Sequence, residues 1–173
     1  TFVLDSHLHP RLKPLLNVVA GALDRPGISP DGLTLLGFAI GVLALPFLAL
    51  GWYSAALVAI LFNRLLDGLD GALARRRGLT DAGGFLDIAL DFLFYALVPF
   101  GFILADPLNN ALAGAWLLFA FIGTGSSFLA FAALAARHQI ANPGYAHKSL
   151  YYLGGLTEGT ETILLFVLGC LFP

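Results

Sequence analysis

The feature that most constrains this chain is a series of apolar runs long enough to cross a lipid bilayer. A transmembrane helix needs about 20 predominantly apolar residues. Four or five segments of the chain are long enough, and we adopt five. The predicted spans are 33–50, 53–74, 85–104, 108–136 and 150–172. The fourth is either one tilted helix or a helix broken near residues 123–125.

Composition agrees with a membrane location. The chain is 58% hydrophobic and 12% charged, with a mean hydropathy of +0.85. Soluble domains are about half apolar and about a quarter charged. We therefore predict an all-α fold, a polytopic transmembrane helix bundle with five visible spans. The last span stops at the end of the sequence, so we expect a sixth helix beyond Pro173.

An N-terminal segment, residues 1–30, precedes the transmembrane domain predicted for residues 31–173. Leucines and a valine in this segment are spaced by three and four positions, with Arg11 and Lys13 between them. This pattern is typical of an amphipathic helix lying on the membrane surface. An ordinary N-terminal helix that packs on protein explains the pattern equally well.

The basic residues indicate the orientation of the chain. With five spans, all nine fall on one side of the membrane: Arg11, Lys13, Arg25, Arg64, Arg75, Arg76, Arg77, Arg137 and Lys148. The loops near Gly51 and at 105–110 carry none. The positive-inside rule makes the basic side cytoplasmic. We predict an integral membrane protein of a bacterial inner membrane.

Four aspartates lie inside otherwise apolar spans: Asp67, Asp70, Asp87 and Asp91. An aspartate at membrane depth costs at least about 2.5 kcal/mol on insertion scales. The first two are three residues apart and the last two are four apart, so each pair lies on one face of its helix. Both pairs flank the same short loop, and we expect antiparallel neighbouring helices to bring all four carboxylates together.

Four carboxylates in one apolar cavity need a strong positive counter-charge. A pair of divalent cations provides it, and ligation by oxygen alone favours Mg²⁺, Mn²⁺ or Ca²⁺ over zinc. Buried salt bridges from Arg64 or Arg75 to one or two of the aspartates are the structural alternative. The carboxylates outnumber the cations available inside the spans, which favours metal.

The aspartates belong to a longer pattern, Asp67-x-x-Asp70-Gly71-x-x-Ala74-Arg75, eight residues, then Gly84-x-x-x-Asp87-x-x-x-Asp91. This pattern resembles the signature of the CDP-alcohol phosphotransferase (CDP-alcohol phosphatidyltransferase) family at every defining position. The preceding Ser29-Pro30-Asp31-x-Leu33-Thr34 is also similar to the family, although many members carry asparagine at the place of Asp31.

The resemblance implies a six-helix membrane fold, usually homodimeric, with a site for two Mg²⁺ or Mn²⁺ ions open to the cytoplasm. It implies transfer of a substituted phosphoryl group from a CDP-alcohol, here expected to be CDP-diacylglycerol, to an acceptor hydroxyl with release of CMP. The implied metal ligands are Asp67, Asp70, Asp87 and Asp91, and Asp91 is also the implied catalytic base. The implied nucleotide-binding residues are Asp67, Asp70, Gly71, Ala74, Arg75, Gly84 and Thr34.

The acceptor alcohol is not specified by this motif. Glu158 and Glu161 lie three residues apart in the last predicted span, and we predict that they line the same cavity and bind a cationic or polyhydroxyl acceptor. Hydrogen bonds that hold helices together are the alternative for this pair. Arg137 and Lys148 belong to a basic cluster that would receive an acceptor phosphate, or would simply be flanking positive charge.

A cation transporter is the competing function class, because intramembrane aspartates also bind ions in transit. Transporters usually carry internal repeats and broken helices at the membrane midplane. The sequence has no visible repeat, and its aspartates lie towards one face. The expected partners are the CDP-linked donor, a hydroxyl acceptor, membrane lipids and a second copy of the chain; nucleic acid is not expected.

Overall fold

The structure is a computed structural model that describes residues 4–138 and 159–173, with side chains described from Leu12 onward. The described residues form helices and no strands, which confirms the predicted all-α class. In chain order the helices are α1 (Leu4–Leu23), α2 (Pro30–Val42), α3 (Ala44–Ala49), α4 (Tyr53–Arg77), α5 (Asp81–Ala105), α6 (Pro107–Arg137) and α7 (Gly159–Leu171).

Several of these helices are long and apolar enough to cross a membrane. Within the described residues they are α2 with α3 (Pro30–Ala49), α5 and α6. Helix α4 has the 25 residues of α5, but it carries the charged residues of the motif. Helix α7 is apolar over its 13 described residues. A polytopic helical bundle is confirmed.

The structure adds one break that was not predicted in the first span, and it decides between the two alternatives for the fourth span. The first span is interrupted between Val42 and Ala44, because Pro46 has no N–H to donate to the carbonyl of Val42. The fourth span is a single 31-residue helix, α6, which continues without interruption through Gly123 and Gly125. The broken-helix alternative is therefore wrong.

Local sequence signals determine where α4 ends and α5 begins. Gly78, at a φ of 104°, ends α4 in a backbone conformation that only glycine adopts without strain. Two residues later, the hydroxyl of Thr80 accepts a hydrogen bond of 3.0 Å from the N–H of Gly83 and caps α5. This three-residue connection makes α4 and α5 antiparallel neighbours.

Helices α2, α4 and α5 pack against one another at the centre of the fold. Helix α3 packs on α4 and α5, α6 packs on α5, and α1 and α7 pack on α4. A large part of the core lies in the half of the bundle away from the α4–α5 loop. It includes the buried residues Leu48, Ile60, Phe94, Val98 and Phe166. The opposite half of the central helices carries the polar residues of the motif.

Close approach of α2 to its neighbours depends on Gly41. A Cβ atom at Gly41 would lie 2.8 Å from Nδ2 of Asn63 on α4 and 2.9 Å from Cδ2 of Phe94 on α5. The absence of a side chain at Gly41 therefore allows the α2 backbone to contact Asn63 of α4 and Phe94 of α5.

Helix α1 confirms the predicted N-terminal helix. One face contacts α4, where Leu16 lies against Gly68 and the Arg76 guanidinium lies over Gly21. Another face leaves Leu15 and Val18 mostly exposed, at 62% and 72%. The helix therefore packs on protein through one side and presents apolar side chains through another; its position on a membrane surface stays a prediction.

The loop between α1 and α2 is tied to the end of α4 by Arg77. Its guanidinium donates to Oδ1 of Asp24 at 2.7 Å, to the carbonyl of Arg25 at 3.0 Å and to the carbonyl of Ile28. The hydrogen bond from Arg77 holds the pKa of Asp24 below its usual value. These bonds fix the start of α2, and with it Thr34, relative to the motif.

Candidate metal and active site

The four motif aspartates meet around one cavity. Helix α4 supplies Asp67 and Asp70, α5 supplies Asp87 and Asp91, and α2 supplies Thr34. The cavity is lined by Thr34, Gly37, Phe38, Asn63, Arg64, Asp67, Asp70, Asp87, Leu90 and Asp91. As expected, the aspartate pair of α4 faces the pair of α5, because the short loop after α4 makes α5 run back alongside α4.

Three of the carboxylates are close enough to share a cation. Asp67, Asp87 and Asp91 each offer an oxygen, and these oxygens all lie within 4.8 Å of one another. Asp87 is exposed, whereas Asp67 and Asp91 are partly buried.

Asp70 is the most buried of the four, with 4% of its surface exposed. Its Oδ2 atom is buried and has no hydrogen-bond partner. The Thr34 hydroxyl lies beside its carboxylate. A buried carboxylate oxygen without a donor is costly, so this atom is suited to a ligand that the protein itself does not provide.

These residues fit a divalent metal ion of the hard type. The donor set is made of carboxylate oxygens, which Mg²⁺ and Mn²⁺ prefer. The unpartnered oxygen of Asp70 and the cluster of like charges would both be satisfied by a bound cation. An aspartate cluster able to hold metal is therefore present, while the identity and number of ions stay predictions.

Arg64 lies inside the same cavity. Its Nη2 atom donates to Oδ1 of Asp91 at 2.7 Å, and its Nη1 atom lies 3.5 Å from Oδ2 of Asp67. The positive-inside count groups Arg64 with the cytoplasmic charges, whereas the structure shows its side chain paired with aspartates inside the bundle. The residue lies 13 positions before the end of α4, about 20 Å along the helix. The predicted alternative of an Arg64 salt bridge is confirmed, and it coexists with the carboxylate cluster.

The surroundings of Arg64 were not predicted from the sequence. Asn63, which is 4% exposed, accepts from Nε of Arg64 at 2.8 Å and donates to the carbonyl of Gly37 at 2.9 Å. The guanidinium carbon lies 4.8 Å from the ring centre of Phe94 and 5.4 Å from that of Tyr95. An asparagine and an arginine side by side in an apolar run are the sequence signal that could have indicated this cluster.

The residues predicted to bind the nucleotide fall into two groups. Thr34, Asp67 and Asp70 line the aspartate cavity. One turn further along α4, the Arg75 guanidinium lies over Gly71, 3.3 Å from where a Cβ atom would be, and the half-buried Ala74 follows the same helix.

Gly84 lies elsewhere. It lines an apolar groove between α5 and α6 with Phe85, Ile88, Phe92 and Leu129. Positions 84, 85, 88 and 92 form the face of α5 that meets α6, while Asp87 and Asp91 belong to the face that meets α2 and α4. Gly83 is the glycine that approaches α2: its Cβ would lie 3.0 Å from Oδ1 of Asp31.

The predicted acceptor residues are only partly described. Glu158 and Lys148 lie outside the described residues. Glu161 is in the first turn of α7 and partly buried, and Arg137 is exposed at the end of α6. Among the described residues, the lining of the aspartate cavity includes neither of them. The start of α7 is nevertheless near the arginine cluster, since a Cβ at Gly159 would lie 3.2 Å from the Tyr95 hydroxyl.

The sequence matches the family described as CDP-alcohol phosphatidyltransferase over residues 28–172, which covers the motif and every helix from α2 to α7.

Similar proteins occur in bacteria and archaea. The chain is 86% identical to inner membrane protein YnjF of Escherichia coli over 171 residues, 99% of this chain and 83% of that protein. It is 38% identical to an archaetidylinositol phosphate synthase of Pyrococcus horikoshii over 100 residues, 57% of this chain and 53% of that protein. It is 32% identical to an archaetidylinositol phosphate synthase of Methanothermobacter thermautotrophicus over 154 residues, 86% of this chain and 69% of that protein.

Proposed function

This chain belongs to the CDP-alcohol phosphatidyltransferase family, and from that premise we propose that it transfers a phosphatidyl group from CDP-diacylglycerol to the hydroxyl of an acceptor alcohol. Membership makes it an integral membrane transferase of phospholipid synthesis, with a CDP-alcohol as donor. The observation that carries the proposal is the convergence of Asp67, Asp70, Asp87 and Asp91 on one cavity. Family membership also favours a transferase over a cation transporter.

The proposed reaction exchanges one phosphorus–oxygen bond for another. The acceptor oxygen attacks the phosphorus that bears the diacylglycerol, and the bond from that phosphorus to the oxygen of CMP breaks. The acceptor loses its hydroxyl proton and CMP leaves with the bridging oxygen. The products are a phosphodiester lipid and CMP.

Asp67, Asp70, Asp87 and Asp91 are the proposed ligands of two divalent ions, Mg²⁺ or Mn²⁺. Bound metal of this kind stabilises negative charge on attacking and leaving oxygens in a displacement at phosphorus. The support is the oxygen donor set and the unpartnered Oδ2 of Asp70. On α4, Gly71 and Ala74 are proposed to leave room for the nucleotide, and Arg75, whose guanidinium lies over Gly71, is proposed to bind its phosphate.

Asp91 is the proposed general base. It is the fourth carboxylate of the cluster and the one farthest into α5, two to three turns from its start at Asp81. A positioned carboxylate that takes the hydroxyl proton contributes about 10²–10⁴-fold to the rate. Its nearness to the other three carboxylates, the proposed metal ligands, supports removal of the proton from an acceptor hydroxyl that lies beside the reacting phosphorus.

The proposed acceptor is a phosphorylated polyol. Two relatives are named archaetidylinositol phosphate synthase, which denotes formation of an inositol phosphate lipid. The exposed Arg137, with Lys148, is suited to bind an acceptor phosphate at the cytoplasmic edge. Glu158 and Glu161 are the proposed partners of acceptor hydroxyls. We also propose that the active site faces the cytoplasm and that the enzyme is a homodimer.

One assay tests the proposal. Purified protein is given CDP-diacylglycerol, Mg²⁺ or Mn²⁺, and a panel of acceptors: inositol phosphate, glycerol phosphate, inositol, serine and choline. We expect CMP release that requires the metal and is fastest with a phosphorylated acceptor. Asp91→Asn should lower kcat by about 10²-fold or more, whereas Asp81→Asn, an exposed aspartate at the start of α5, should stay within about two-fold of the parent.

Absence of metal-dependent CMP release with every acceptor would contradict the transferase function. Full turnover by Asp91→Asn would contradict only the role of Asp91 as base. Release with serine or inositol but with neither phosphorylated acceptor would contradict the proposed acceptor class.

A further inference from the structure

We propose that Arg64 is a positioning residue for Asp91, which it holds in one orientation so that a single carboxylate oxygen faces the reaction. The inference rests on the proposed function, in which Asp91 takes the acceptor proton. It goes beyond that function because Arg64 is outside the signature run from Asp67 to Asp91. The argument starts from the contacts of the guanidinium group.

Arg64 joins the two helices that carry the aspartates. It lies on α4, where it is 3.5 Å from Asp67, and it donates across to Asp91 of α5 at 2.7 Å. The Asp91 contact has the length of a charge-assisted hydrogen bond, and the Asp67 contact is longer. Arg64 therefore binds Asp91 more tightly than Asp67. Its side chain is only 16% exposed, so solvent does little to screen the pair.

The guanidinium itself is held on every edge. Nε donates to Asn63, Nη1 lies 3.4 Å from the Tyr95 hydroxyl, and Nη2 donates to Asp91. Asn63 is anchored in turn by its bond to the carbonyl of Gly37 on α2. The rings of Phe94 and Tyr95 lie within 4.8 and 5.4 Å of the guanidinium carbon. This arrangement uses the planar fork of arginine, which the single ammonium of lysine cannot reproduce.

The consequence for Asp91 is an asymmetric carboxylate. Its Oδ1 atom accepts from Arg64, so we assign its Oδ2 atom to metal or to the acceptor hydroxyl. Arg64 also places a positive charge beside the metal-binding cluster and competes with the ion for Asp91. Removal of the guanidinium should therefore strengthen metal binding and weaken catalysis. A purely structural salt bridge would weaken both.

The test compares four full-length proteins in detergent: the parent, Arg64→Met, Asp91→Asn and the double variant. The first readout is Mn²⁺ affinity without substrate. We expect Arg64→Met to bind Mn²⁺ about 3- to 10-fold more tightly than the parent, because a positive charge leaves and Oδ1 of Asp91 becomes free. In the Asp91→Asn background, Arg64→Met should change the Mn²⁺ affinity clearly less than it does in the parent. Unchanged or weaker Mn²⁺ binding by Arg64→Met would overturn the proposal.

The second readout is CMP release. We expect Arg64→Met to lower kcat by about 30-fold or more with donor KM within about three-fold, and to add little to the loss caused by Asp91→Asn. Arg64→Lys keeps the buried charge but loses the fork, so its kcat should fall between those of the parent and Arg64→Met. The proposal would be overturned if the effects of Arg64→Met and Asp91→Asn on the free energy of activation were fully additive. It would also be overturned if Arg64→Met had the same kcat as the parent.

Matched controls separate this inference from the proposed function. Arg25→Met removes an exposed arginine of the α1–α2 loop and should leave both readouts within about two-fold of the parent. If the parent releases no CMP, the transferase function fails while the Mn²⁺ comparison still decides the role of Arg64. If the parent is active and Arg64→Met matches it in both readouts, only the positioning role fails.

Discussion

Asp70 differs from the other motif aspartates because it has almost no access to solvent. It is 4% exposed and its Oδ2 atom has no donor within the described residues. Asp91, by contrast, is ion-paired with Arg64 and 29% exposed. The two residues therefore contribute differently to the stability of the metal-free protein. The buried Asp70 carboxylate lowers it, whereas the charge of Asp91 is stabilised by Arg64.

Asp70→Asn should separate stability from metal binding. Without metal, we expect the variant to be more stable than the parent by about 1–3 kcal/mol, because a neutral amide replaces a buried charge that has one oxygen without a donor. With Mn²⁺ added, the parent should gain melting temperature through linkage, and the variant should gain much less. The measurement is the melting temperature of each protein in detergent with and without Mn²⁺.

Asp81→Asn is the matched control for this comparison, since Asp81 is exposed at the start of α5. Its melting temperature should rise with Mn²⁺ as much as that of the parent. A metal-induced rise in Asp70→Asn equal to the parental rise would contradict the role of Asp70 as a ligand.

The contact between α5 and α6 depends on glycine at one position of α6 and not at another. A Cβ at Gly114 would lie 2.5 Å from Cγ1 of Ile103 and 3.3 Å from the carbonyl oxygen of Pro99, both on α5. At Gly123, in the same helix, nothing lies within 4 Å of the Cβ position. One glycine therefore permits helix packing and the other lies in open space.

Alanine substitutions at these two glycines should have opposite effects. Gly114→Ala should destabilise the protein by about 1–3 kcal/mol, because a methyl group overfills the α5–α6 contact. Gly123→Ala should be neutral or stabilising by up to about 1 kcal/mol, because alanine has the higher helix propensity. Unfolding in a denaturing detergent, followed by helical content, measures both. Equal destabilisation by the two substitutions would contradict the packing described for α6.

Orientation in the membrane is a property of the whole chain. The α4–α5 loop follows three arginines and joins the two helices that carry the aspartates, while the connection between α5 and α6 is at the other end of the bundle. The positive-inside rule predicts a cytoplasmic α4–α5 loop. Leu79 and Leu108 mark the two ends, with exposures of 47% and 97%.

Single cysteines at these positions test the orientation. In a Cys170→Ala background, Leu79→Cys should react with a membrane-impermeant maleimide only in inverted vesicles, and Leu108→Cys only in intact spheroplasts. The native Cys170 is 6% exposed, so its replacement removes the one endogenous thiol of the sequence. Labelling of Leu79→Cys from the outside would contradict a cytoplasmic active site.

Much of the fold and the core of the site could be predicted from the sequence, because both follow from local spacing. Long apolar runs predicted a helical membrane bundle, and the three- and four-residue spacings placed each aspartate pair on one helix face. A short loop after Gly78 then required antiparallel neighbours. The interruption of the first span at Leu43, which Pro46 causes, was open to the same kind of local argument but was not predicted.

Contacts between residues far apart in the chain were decided only by the tertiary structure. Arg64 and Asp91 are 27 positions apart, and Asn63 and Gly37 are 26 apart. Helical periodicity states which face a residue occupies but not which residue of a neighbouring helix lies opposite, because that depends on how closely the helices approach and how they are rotated. The sequence therefore determined the aspartate cluster, and the packing of α2, α4 and α5 decided that an arginine lies within it.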